Sequence, residues 1–153
     1  MLNGYCYDTA VGKVVIKEED GNIVEIVLAH LSTDDFVVNE TETIKKAIKQ
    51  LREYFEKKRT EFDLPLGPRK TNFQDKVWNY LLSIPYGETR TYQKIAEELG
   101  NKKAARAVGR ANGSNRIFIV IPCHRVVGSD GSLTGYAGGI EMKKFLLELE
   151  GIN

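Results

Sequence analysis

The 153-residue sequence is poor in the side chains that staple or metallate a small protein: two cysteines, two histidines, one tryptophan and four prolines. Cys6 and Cys123 stand far apart and suggest no disulfide framework. Together with His30 and His124 they show no paired ligand spacing, so no metal is expected. No apolar stretch approaches the ~18 to 20 residues that span a bilayer, and no membrane association is expected. The start, Met1-Leu2-Asn3-Gly4, has neither a basic n-region nor an apolar h-region, so no signal peptide is expected either. There is no internal repeat, no low-complexity segment and no motif calling for a cofactor. Composition is that of an ordinary globular protein, 42% apolar and 28% charged.

Nor is there an excess of charge of one sign, since the formal net is +1. That figure hides a division, with residues 1–70 net acidic and residues 71–153 net basic. No acid occurs between Glu98 and Asp130, a window that holds Lys102, Lys103, Arg106, Arg110, Arg116 and Arg125. Such a stretch is either a solvated basic face or the footprint of a polyanion.

Hydrophobic periodicity divides the chain into two lobes, 1–66 and 67–153. In the first, Lys13–Lys17 and Ile23–Leu28 read as strands joined by the Glu19-Asp20-Gly21-Asn22 turn. Ile44, Ala47, Ile48, Leu51, Tyr54 and Phe55 recur at helical spacing, with Asn39 as N-cap and Glu42 in the capping-box position. Leu64–Pro68 breaks the pattern and reads as a linker. The second lobe is mostly helical. Phe73, Val77, Tyr80, Leu81 and Ile84 form one face, which Pro85-Tyr86-Gly87 ends. Thr91 caps a short helix over Tyr92–Leu99, Gly100 turns the chain, and Asn101 opens a second helix. Two short helices joined by a glycine turn are a helix-turn-helix signature. The slim Ala/Gly profile of the second leaves Arg106 and Arg110 projecting one turn apart.

The apolar run Ile117-Phe118-Ile119-Val120-Ile121 then enters Pro122-Cys123-His124-Arg125-Val126. The run reads as a buried strand ended by Pro122, which presents a thiol at the rim of the core. Neighbouring cations are expected to lower the thiol pKa toward neutrality. The other reading of Cys123 is a small buried core residue. Cys6, between Tyr5 and Tyr7, reads as a packed strand residue, and His30 as a surface or strand-end residue.

At Pro122–Val126 the sequence resembles the O(6)-alkylguanine-DNA alkyltransferases. The resemblance extends over Phe73–Trp78, Ile84-Pro85-Tyr86-Gly87-Glu88, Thr91–Ala96, Ala104–Gly109, Asn115, Tyr136 and Leu149-Glu150-Gly151. It implies an α/β (α+β) fold with a ribonuclease-H-like first lobe and a winged helix-turn-helix in the second. It implies that Cys123 accepts the alkyl group, His124 removes its proton through a water, and Glu150 orients His124. Asn115 would link the recognition helix to the active-site segment. Tyr92 would crowd the phosphate beside the lesion and donate toward guanine, and Arg106 would fill the space left by the extruded base. Val126, Tyr136 and Ala137 would hold that base; many relatives carry Ser at the Ala137 position. Gln93, Lys103, Arg110, Arg125 and Ser129 complete the expected DNA-binding set.

The implied activity is DNA repair by single-use alkyl transfer from the O6 position of guanine, and from O4 of thymine, to Cys123. The implied partner is double-stranded DNA containing alkylated guanine, met by a monomer without cofactor in the cytoplasm, at the nucleoid. The alternative is a damage-binding alkyltransferase-like protein, but those carry Trp in place of the cysteine. A cysteine hydrolase is disfavoured because adjacent residues on an extended segment point apart. A transcription factor would leave Cys123 unexplained.

Overall fold

The computed structural model describes residues 2–67, 72–133 and 136–152. The chain divides into two compact units, Met1–Pro68 with Arg116–Phe118, and Arg69–Asn115 with Ile119–Asn153. The inclusion of Arg116–Phe118 in the first unit departs from a simple division near residue 66.

In the first unit, strands β1 (Asn3–Thr9), β2 (Gly12–Glu19), β3 (Asn22–Leu28) and β4 (Val37–Val38) form one sheet in the order β3-β2-β1-β4. β1, β2 and β3 are antiparallel neighbours, while the short β4 runs parallel to β1. The β2–β3 hairpin turns through Asp20 and Gly21, both at positive φ, as its sequence leads one to expect. β1 contains the Tyr5-Cys6-Tyr7 stretch read as strand in the sequence. Strand alternation turns Tyr7 inward and leaves Cys6 exposed, so Cys6 is not the packed residue expected.

Helix α1 (Glu42–Phe55) follows, with Ile44, Ala47, Ile48, Leu51 and Tyr54 all buried. Its cap is Thr41, whose Oγ1 accepts from the Ile44 N–H, rather than Asn39. Asn39 is engaged elsewhere, its amide donating to Asn3 and its backbone N–H to the Gly4 carbonyl. The open edge of β3 is covered on this unit by isolated bridges, Ile23 to Leu66 and Ile26 to Ile117.

The second unit contains α2 (Asn72–Leu82), β5 (Arg90–Thr91), α3 (Tyr92–Glu98), α4 (Ala105–Gly113), β6 (Val126–Val127) and α5 (Ile140–Leu149). Val77, Leu81 and Ile84 are buried as their spacing requires, but Phe73 at the start of α2 is exposed. β5 and β6 pair in parallel, Arg90 opposite Val126 and Thr91 opposite Val127. Thr91 caps α3 by accepting from the Lys94 N–H, and Gly100 takes the positive φ that ends it. α4 starts at Ala105, not at Asn101. Asn101 instead closes a turn, its Oδ1 accepting from Lys103 N and its carbonyl from Ala104 N.

The apolar run 117–121 is buried throughout but is not a strand. Ile117 makes one bridge, the following residues form a turn, and Ile119 sits at φ +73°, a conformation a β-branched residue adopts only when its surroundings impose it. Five consecutive buried apolar residues satisfy either a central strand or an enclosed turn, and hydrophobicity alone does not separate the two.

Candidate active site and nucleic-acid interface

Pro122 sits at φ −81°, ψ 63°, and the Cys123 N–H donates to the Ile121 carbonyl across it at 2.8 Å. This inverse γ-turn reverses the chain into a single 3-10 turn, Cys123–Arg125. The nucleophile therefore stands on a tight turn instead of a strand end, and all three side chains are buried.

Cys123 is 2% exposed, and its Sγ accepts a hydrogen bond from Asn115 Nδ2 at 3.0 Å. The same amide donates to the Ile121 carbonyl at 2.9 Å, and Asn112, one turn earlier on α4, donates to the Cys123 carbonyl. The C-terminal end of α4 and the Cys123 turn are thus joined by two buried asparagines. Asn112 was not evident in the sequence, where only its spacing of three from Asn115 marks it. The thiol pKa is raised to about 11, because burial outweighs the Asn115 hydrogen bond and the Lys143 charge. The expected lowering toward neutrality does not occur, because burial governs the thiol. The flanking cationic side chain is directed elsewhere.

That destination is Glu150. Its carboxylate takes His124 Nε2 at 2.7 Å, Arg125 Nε at 2.8 Å and the second Arg125 nitrogen at 3.0 Å, together with the Gly87 N–H. A carboxylate accepts, so Nε2 carries the ring proton and Nδ1 carries the lone pair. Nδ1 makes no hydrogen bond among the described residues. Burial lowers the His124 pKa despite Glu150, so the imidazole is a neutral base with its basic nitrogen unengaged.

Arg125 is a strut. It is 6% exposed, forks onto Glu150, donates to the Ile84 carbonyl at 2.7 Å and lies 5.8 Å from the Tyr86 ring centroid. Its burial and its bonds to Glu150 and Ile84 give no support to the expectation that it binds DNA. The Ile84–Gly87 turn is tied to the same pair, through the Ile84 carbonyl to Arg125 and the Gly87 N–H to Glu150. Arg125→Ala should lower the unfolding free energy by about 3 to 5 kcal/mol, because Glu150 loses its paired cation in a buried setting. Chemical denaturation measures this, and the salt dependence of DNA binding should be unchanged.

Arg116 also leaves the basic window, its guanidinium bonding Glu25 at 2.6 Å and 3.0 Å within the first unit. The exposed cations that remain are Lys102, Lys103, Arg106 and Arg110. Gln93 is half-buried and donates to the Lys102 carbonyl, so it braces the turn before α4. Tyr92 is half-buried with its phenol pKa raised by burial and then by the Cys123 charge, partly offset by a hydrogen bond from Asn112. Val126 and Tyr136 are buried and Ala137 is exposed. Ser129 is exposed in a turn closed by the Gly128 N–H to the Ser132 carbonyl. A Cβ at Gly128 would come within 2.4 Å of Ser132 Oγ, so a larger residue there would require the Ser132 and Asp130 side chains to move. Among the described residues there is no cluster of ligands that could hold a metal ion.

The sequence and fold are similar to those of known proteins. Residues 72–152 match the 6-O-methylguanine DNA methyltransferase DNA-binding domain, and residues 4–68 match the ribonuclease-like domain of the same enzymes. The chain belongs to the 6-O-methylguanine DNA methyltransferase family. It is 55% identical over 118 residues to a methylated-DNA–protein-cysteine methyltransferase of Methanosarcina acetivorans, covering 77% of this chain and 75% of that one. It is 45% identical to the constitutive enzyme of Bacillus subtilis, covering 95% and 93% of the two chains. A Mycobacterium tuberculosis OGT solved in complex with DNA superposes with a TM-score of 0.90 at 43% identity, covering 97% of this chain and 92% of that one. The mixed α/β architecture, with a small sheet first and a helical second part, is that of the family.

Proposed function

We propose that this member of the family is a DNA-repair methyltransferase that moves the alkyl group from O6 of guanine, and from O4 of thymine, onto Cys123. The observation that carries the reading is one buried array, Asn115–Cys123 on one side and His124–Glu150 on the other. His124 Nδ1 receives the Cys123 proton through a water, sulfur attacks the alkyl carbon, and the carbon–oxygen bond breaks. Its electron pair leaves on the guanine oxygen, a proton restores guanine, and a thioether remains. The thioether is a stable product, so each molecule acts once. A titration with duplex carrying one O6-methylguanine should therefore plateau at one repaired lesion per protein molecule. Continued turnover would overturn the reading.

The lesion lies inside the base stack, and extrusion costs a few kcal/mol. Tyr92 crowds the neighbouring phosphate and donates toward the base, Arg106 enters the duplex, and Val126, Tyr136 and Ala137 line the place the base occupies. Gln93, Lys103, Arg110 and Ser129 complete the DNA-facing set. The partner is double-stranded DNA containing alkylated guanine, bound by a monomer without cofactor, in the cytoplasm at the nucleoid. The two lobes, 1–66 and 67–153, divide the work, the second carrying both recognition and chemistry. A damage-binding role without chemistry is disfavoured by the thiol and its base.

With Arg116 and Arg125 engaged internally, about four cations remain for phosphates. Log K for duplex should fall with log salt at a slope of about −3 to −4. Fluorescence anisotropy across a salt series measures this. A slope near −6 would mean that Arg116 and Arg125 leave their carboxylates on binding.

A further inference from the structure

Helix α5 carries a second charged side chain on the face that carries Glu150. Lys143 precedes Glu150 by seven residues, two helical turns, so both project from one side of the helix. Lys143 is 0% exposed, a rare state for a lysine. Its Nζ donates to the carbonyl of Val126, three residues beyond the nucleophile, and lies 6.0 Å from the Tyr92 ring centroid. No step described above uses it.

Moving a proton from Cys123 to His124 creates two charges in a buried site, a thiolate and an imidazolium. Each is costly there unless an opposite charge is already in place. Glu150 meets the imidazolium. The structure assigns the matching role at the thiolate to Lys143: its ammonium is the fixed counter-charge for the ionised Cys123 sulfur, making it a positioning residue that acts through Cys123. This rests on the reading of Cys123 as the alkyl acceptor. One helix thereby brackets the charge-separated state, an anion at one end and a cation two turns away.

The charged and titratable groups around Lys143 agree with this. From the 3-10 turn it is faced by Cys123 and His124, with Arg125 directed to Glu150, and from α3 by Tyr92. The Cys123 charge raises the Lys143 pKa while the Lys143 charge lowers the thiol's, as a mutually stabilising pair requires. Burial nonetheless lowers Lys143 to about 8. Ammonium therefore predominates at neutral pH and the counter-charge fades as the pH rises above 8. Lys143 also lowers the His124 pKa, so it disfavours the imidazolium while favouring the thiolate.

The test uses the full chain with Cys6→Ser, which removes the exposed thiol. Alkylation of Cys123 by iodoacetamide, and methyl transfer from free O6-methylguanine, are followed from pH 6 to pH 10. The proteins compared are the parent, Lys143→Gln, which retains a donor for the Val126 carbonyl, and Lys143→Arg, which retains the charge. In Lys143→Gln both reactions should slow about tenfold at neutral pH, where the parent's Lys143 carries its charge. Its rates should converge on the parent's near pH 10, and Lys143→Arg should keep the neutral-pH rate above that of Lys143→Gln. Thermal unfolding identifies a variant that does not fold; a folded Lys143→Met then replaces Lys143→Gln. Equal slowing at every pH, or no slowing at neutral pH, would reduce Lys143 to a packing residue and overturn the proposal. Iodoacetamide needs no alkylguanine, so failure of the repair reading alone would appear as alkylation without methyl transfer.

Discussion

Cys123→Ala is expected to abolish methyl transfer to the limit of detection while leaving duplex affinity within about twofold of the parent. The local structure predicts a variant that folds. Asn115 keeps its bond to the Ile121 carbonyl when the sulfur is removed, and the 3-10 turn is held by backbone bonds that do not involve the thiol. Loss of a small buried group of this kind costs about 1 kcal/mol. His124 and Glu150 stay paired, so the base and its orienter remain without a nucleophile to serve. Residual transfer in Cys123→Ala would require another acceptor. The other thiol is Cys6, exposed on β1 in the first unit. A radiolabelled methyl group that stays with the variant after denaturation would contradict the assignment.

The second large effect concerns Arg106. It is exposed on α4 among Ala105, Ala107 and Gly109, none of which shields a guanidinium. Under the extrusion role, Arg106→Ala should slow transfer from duplex at least about tenfold more than from free O6-methylguanine. The free base needs no flipping, and about 1.4 kcal/mol of lost compensation already amounts to tenfold. Single-turnover rates on the two substrates give the ratio. A phosphate contact alone would weaken binding to all duplexes without changing the rate at saturation. Equal slowing on both substrates would place Arg106 in support of the pocket and remove the extrusion role.

The run Pro122 to Val126 marked a thiol at the edge of the core from the sequence alone, whereas Asn115, His124 and Glu150 received their roles only through the resemblance to the alkyltransferases. Helix periodicity likewise marked α1 and the buried face of α2, where packing follows the 3.6-residue repeat. What escaped was set by partners remote in sequence. Arg125 looked like a DNA contact because its partner Glu150 is 25 residues away. Arg116 looked like one because Glu25 is 91 residues away. Both cations are neutralised by the fold, and a count of charges along the chain has no means of subtracting them. The thiol pKa failed for the same reason: cationic neighbours in sequence point away, and burial governs instead. Local competition decided the rest. Thr41 outcompetes Asn39 as a cap because Asn39 is already bonded to β1. Ile119 at positive φ shows burial overriding a backbone preference that would have favoured a strand. Lys143 carried one faint signal, its seven-residue spacing from Glu150, which acquires meaning only once both are seen to be buried.

Under the proposed function the buried thiol is itself the acceptor and is consumed. Intact-mass analysis after incubation with duplex containing a single O6-methylguanine tests it most directly, followed by proteolytic mapping. The result predicted is a gain of one methyl group per chain, located on Cys123, with restored guanine in the DNA in equal amount. Restored guanine in excess of protein, a protein of unchanged mass, or a label on Cys6 would contradict it.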